Sequence, residues 1–154
     1  MDLTKIISIS GKPGLYKLIK QSRTRFIVES IETRKKTAVN SSQNVSLLSN
    51  VTIYTLDEEE ITLEEVFYKI AEKENKGAAI SHKASSADLH QYFSEILPNY
   101  DRNRVYNSDL KKIFQWYNIL QKASLIDLNR SDKESDKEKI TEDHPQTKSE
   151  VGKE

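Results

Sequence analysis

The spacing of apolar residues changes period once along this chain, near residue 60, and that change limits the fold more than any other feature. Before it, Ile7 and Ile9 alternate with Ser8 and Ser10, the period of two expected of a half-buried strand. "GLYKLIKQ", "FIVESI", "TAVN" and "VTIYTL" continue in the same manner, rich in β-branched and aromatic residues and separated by polar breaks. After it, Leu63, Val66, Phe67 and Ile70 fall at helical spacing behind a Thr62/Glu65 capping box. Leu89, Tyr92, Phe93 and Ile96 form a second stripe capped by Ser85 and stopped by Pro98. Leu110, Ile113, Phe114, Tyr117 and Leu120 form a third, with Ser108 as its expected cap.

Five short strands joined by tight turns within the first 56 residues predict a small SH3-like five-stranded β-barrel, because closure removes exposed edges. The expected architecture is therefore α+β. The barrel with its closing helix occupies residues 1–75, a hinge 76–84, a helical hairpin 85–123 and a disordered charged tail 124–154. The tail has no aromatic residue and too few apolar ones to offset the entropy of ordering it.

A net charge of zero conceals a polarity: residues 1–56 carry +6, residues 57–84 carry −4, and residues 125–154 carry −3. The basic front contains Lys12, Lys17, Lys20, Arg23, Arg25, Arg34, Lys35 and Lys36, with Tyr16 and Phe26 interleaved. Cations beside aromatic rings on a small β-domain suit a single nucleic-acid strand, gripping its backbone by charge and its bases by stacking. The expected partner is thus RNA or another polyanion. The competing account is neutralisation of these cations by the acidic residues that follow.

"GKPG" at residues 11–14 has the spacing of a phosphate-clamping G-x-x-G loop, but such loops join helices, and here a strand leads in. Pro13 and Gly14 suit the centre of a type II turn, so a turn between two strands is the reading adopted. "DRNRVYNSDLKK" fails as a calcium loop, since Tyr106 stands where glycine is needed and Lys112 where the closing glutamate belongs. The densest aromatic region, Trp116 and Tyr117 with Tyr106 nearby, belongs to short helices whose own core is thin. It marks an alternative activity, association with a protein partner or a second copy of the chain.

No nucleophile motif, metal-binding motif or paired inward carboxylates can be placed, and His82, His90 and His144 are scattered. The chain has no cysteine. A non-enzymatic binding or adaptor module follows, with no catalytic residue, cofactor or metal. No apolar run approaches a membrane span, so a soluble cytoplasmic protein is expected.

"IISISGKPGLYKLI", "FIVESI" and "NVSLLSNVTIYT", followed by "EEITLEEVFYKI" and "LHQYFSEILPNYDRNRVYNSDLKKIFQWYNIL", resemble a family of short uncharacterised proteins of Bacteroidetes-type bacteria. The resemblance spans about residues 3–122 and implies a cytoplasmic bacterial protein with a small N-terminal domain and a helical C-terminal one. It brings no catalytic residues.

Overall fold

Alternation in the first third gives strands β1 (Ile6–Ile9), β2 (Lys12–Gln21), β3 (Arg25–Ser30), β4 (Lys36–Asn40) and β5 (Val45–Leu47). A 3-10 turn at Leu48–Asn50 precedes β6 (Thr52–Tyr54) and β7 (Glu60–Thr62), and the helices are α1 (Leu63–Lys73), α2 (Ser86–Ile96) and α3 (Asn107–Lys122). These elements come from a computed structural model, which describes residues 1–40, 44–57 and 59–128. Of the tail expected from residue 124 onward, residues 129–154 lie outside that range. Within it, Ile126 is buried and the Asp127 carboxylate accepts a 2.8 Å bond from the Met1 ammonium.

The five-stranded sheet has the order β4-β3-β2-β1-β5, antiparallel throughout, and β6 and β7 form a separate two-stranded ribbon. Alternation sends side chains two ways. Ile6, Leu15 and Ile31 join the helices in the main core. Ile7, Ile9, Val28 and Val39 form a second cluster on the opposite face, with Tyr16, Leu18, Phe26, Val45 and Leu47 against it. That second cluster draws on both edge strands, so the sheet is strongly coiled. The chain length requires this too: the stretch from Asn40 to Val45 reaches at most about 18 Å, whereas strands four places apart in a flat sheet lie about 19 Å apart.

Coiling stops short of closure, and the expected SH3-like barrel is corrected to an open sheet. Among the described residues, no ladder joins β4 to β5. The segment expected to be the last barrel strand leaves through the 3-10 turn and pairs with Glu60–Thr62 instead. Burial explains the choice. In the ribbon, Ile53 enters the helical core and its cross-strand neighbour Ile61 packs against it, while the coiled face is already filled by the second cluster.

The β1–β2 connection is a turn, as the sequence indicates, but it is centred three residues earlier than the expected Pro13 and Gly14. Ile9 pairs with Lys12, so Ser10 and Gly11 are the central residues, with Gly11 at φ +85° as a type II turn requires. Pro13 and Gly14 lie inside β2, where the register shifts against β1. Gly14 has φ +81°, and a Cβ there would come within 2.6 Å of a Glu32 carboxylate oxygen.

All three helical stripes are buried at the expected positions apart from Tyr92, which is half-buried, and they meet Leu3, Ile6, Leu15, Ile31 and Leu48 in one continuous core. Phe93 packs edge-on against Tyr100 and Phe114, at ring separations of 4.8 and 6.1 Å. Thr62 and Ser85 cap α1 and α2, accepting the N–H groups of Glu65 and Asp88. α3 begins before the expected Ser108. Its cap position is Tyr106, whose N–H is accepted by Asp109 at 2.9 Å. Residues 76–84 run alongside α3, bonded to it by Tyr117 and Asn118.

Candidate functional site

Strand register distributes the basic residues. Lys17 lies opposite Glu29, and Glu29 lies opposite Lys36; Lys20 faces Ile27, two residues from Glu29 and two from Arg25. Lys17, Lys20, Arg25 and Lys36 therefore share one face of the sheet, and all four are exposed. It is the same face that, at its other end, sends Ile6 and Leu15 into the helical core. Arg23, Arg34 and Lys35 occupy the turns at the ends of β3.

One carboxylate sits within this strip. Glu29 is flanked by Lys17 and Lys36, and Arg34 approaches it at 3.3 Å from a backbone held at φ +64°. Exposed pairs of this kind contribute little to stability, but they lower the field of the strip locally. Lys20, Arg23, Arg25 and Lys35 make no ion pair among the described residues. Tyr16 and Phe26, expected to supply stacking beside these cations, are half-buried in the second cluster on the opposite face. The strip presents charge without rings for stacking beside it.

Lys12 is separated from the strip. It lines a groove of about 650 Å³ between the β1–β2 turn and α3, together with Ser8, Ser10, Ser46, Lys112 and Trp116. Lys12, expected at a polyanion, and Trp116, expected at a protein contact, are brought to one place by the fold. Lys112 was not singled out as a site residue. Its spacing of four from Trp116 puts the two on one face of α3 and was a readable signal. That this face meets the β1–β2 turn depends on packing and was not readable.

A smaller cavity of about 250 Å³ adjoins the groove, sharing Val51, Lys112 and Trp116 with it and adding Tyr54, Arg104 and Asp109. The Arg104 guanidinium stacks 4.3 Å from the Tyr54 ring centre and pairs with Asp101 at 2.9 Å. That bond and the Asn103 N–H hold the Asp101 carboxyl below its usual range. His90 is engaged elsewhere, with its Nδ1 at 2.7 Å from the Tyr100 hydroxyl; burial, then the nearby Arg102 charge, lowers its pKa.

The aromatic residues proposed for protein contact separate into three situations. Tyr106 is 63% exposed, and Trp116 is half-buried in the groove. Tyr117 is fully buried, packs against Phe67 and donates a 2.8 Å bond to the Gly77 carbonyl, so it is a core residue and not a contact surface. Tyr54 and Leu56 are exposed on the segment that bonds to the loop after α2, through Tyr54 O to Asp101 N and Leu56 N to Asn99 O.

An open, coiled antiparallel sheet, a short ribbon and three helices around a shared core define the class: an α+β protein with a basic sheet face and a groove against its last helix. A domain of unknown function (DUF5606) matches residues 3–48, and a second domain of unknown function (DUF6852) matches residues 51–120. A solution NMR structure from Bacteroides vulgatus, a target of the Northeast Structural Genomics Consortium, is 45% identical, with a TM-score of 0.70 over 82% of this chain and 91% of that one. The chain belongs to this Bacteroidetes-type family of uncharacterised proteins, and in it the two domain matches stand in tandem. No curated protein matches it. Among the described residues, no helix is long and apolar enough to cross a membrane.

Proposed function

We propose that the protein is a non-enzymatic, cytoplasmic binding module for a polyanion, single-stranded RNA, held on the exposed strip of the sheet. The observation that carries this reading is the register that gathers Lys17, Lys20, Arg25 and Lys36 on one face against the single carboxylate of Glu29. Because the strip lacks stacking rings, binding is governed by phosphate contacts and is weakly dependent on sequence. Fluorescence anisotropy of a labelled RNA oligonucleotide with the full chain should show affinity falling steeply with salt. Four phosphate contacts on a single strand give a slope of about −3 in log K against log salt. Lys20→Ala with Arg25→Ala should weaken binding about tenfold for every sequence tried and flatten that slope. Absence of binding at low salt, or indifference to the double substitution, refutes the reading.

Association with a protein is the second reading, favoured by the exposure of Tyr54, Leu56 and Tyr106, at 41, 66 and 63%. Apolar side chains exposed together on joined segments suit the covered centre of an interface. Sedimentation of the wild-type chain across a hundredfold range of concentration tests for self-association. A concentration-dependent dimer that Leu56→Ser with Tyr106→Ala returns to monomer would support it, and a monomer throughout removes the homodimer.

A further inference from the structure

The groove between the β1–β2 turn and α3 has a chemistry the basic strip lacks. Lys12 and Lys112 reach it from two different elements, and among the described residues no carboxylate lines it. Neither lysine has an ion-pair partner among the described residues. Hydroxyls of Ser8, Ser10 and Ser46 line the same space, and one wall is the half-buried indole of Trp116. At Gly11 the backbone itself faces outward, since a Cβ built there meets nothing within 4 Å. Its volume of about 650 Å³ falls in the range of small-molecule sites.

We infer that this groove binds a nucleoside 5′-phosphate, with the phosphate at Lys12 and Lys112 and the base against Trp116. Two cations and several serines, with no acid among the described lining residues, suit a phosphate. A lone phosphate would leave the indole unused, and a neutral aromatic would leave both lysines unused. A planar base joined to a phosphate uses both. The nucleotide unit comes either from a free nucleotide or from the phosphorylated end of an RNA. The site is separate from the sheet strip and stands or falls independently of RNA binding there.

Trp116 is the sole tryptophan in the chain, so its fluorescence reports on the groove and the cavity adjoining it, and Lys12, which lines only the groove, tells the two apart. Adenosine 5′-monophosphate titrated into the full chain should quench it saturably, with adenosine and inorganic phosphate each at least roughly tenfold weaker. Lys12→Ala and Lys112→Ala, both at exposed positions, should each raise the dissociation constant about tenfold, the loss of one charge-assisted contact. Lys20→Ala with Arg25→Ala should leave it unchanged. A 5′-phosphorylated trinucleotide that binds more tightly than the monophosphate identifies an RNA end as the source, and one that binds less tightly identifies a free nucleotide. The inference is overturned if the monophosphate gives no saturable quenching, if adenosine matches it, or if neither lysine affects it. Quenching by the monophosphate in a protein that fails to bind RNA would leave the groove assigned and the sheet-strip reading refuted.

Discussion

Tyr117→Ala is expected to destabilise the protein by about 3–5 kcal/mol, the loss typical of a large aromatic removed from a core. The side chain is fully buried in α3, with its ring edge-on to Phe67 at 5.8 Å and its hydroxyl bonded to Gly77 O. Small domains have only about 5–15 kcal/mol in total, so the truncation consumes much of the margin. Trp116→Ala, one residue away on the half-exposed side of the helix, should cost far less. Urea unfolding of both variants separates the two roles; a Tyr117→Ala chain within about 1 kcal/mol of wild type would contradict the placement of that ring. The same residue has a pH signature. Burial, then the Glu74 charge, pushes its phenol up to about 12 from the ordinary 10.0. The unfolded chain therefore releases this proton first. The stability it contributes is complete below about pH 10 and is lost as pH rises through about 12. Tyr117→Phe should reduce that alkaline sensitivity while keeping the ring packed.

Asn118→Ala should produce the second largest loss, about 2–3 kcal/mol, because a single side chain ties residues 79 and 80 to α3. Its Oδ1 accepts the Ala79 N–H at 2.7 Å, and its Nδ2 donates to the carbonyls of Ala79 and Ile80 at 3.3 Å. Alanine leaves those partly buried backbone groups without partners. Amide hydrogen exchange gives the local readout: the Ala79 N–H should exchange much faster in the variant while amides in β2 and β3 change only by the global destabilisation. Unchanged protection at Ala79 would show that something else holds this segment.

The helices were the most legible part of the chain because their signal is local. Leu63, Val66, Phe67 and Ile70 fall three and four residues apart, and Thr62 and Ser85 stand where caps belong. Tyr117 also shares the periodicity of Ile113 and Phe114, so its burial was readable, and its selection as a contact residue went against that pattern. The sheet was legible in four of its strands; the fifth, Val45–Leu47, is too short and too polar in its surroundings to stand out. Closure was not legible, since alternation defines which side chains share a face but not which strand lies beside which. Glu60–Thr62 follows a run of acids and ends on a helix cap, and no local feature marks it as the partner of Thr52–Tyr54. At the sites, the basic residues were legible as a set, but their partition into a strip, a set of turns and the groove at Lys12 depends on register.

The continuous core has a consequence for what counts as a unit. The two family matches meet at the 3-10 turn, residues 3–48 on one side and 51–120 on the other, as though the chain were two modules. Yet Leu3, Ile6, Leu15, Ile31 and Leu48 from the first match and Leu63, Phe67, Phe93 and Phe114 from the second are buried in a single cluster. Separating them would expose an apolar face on each side that neither half can cover alone. Heredity can copy the two matches as separate words, but the physics reads them as one: both halves should melt in a single transition, and neither can be lent to another protein without the other.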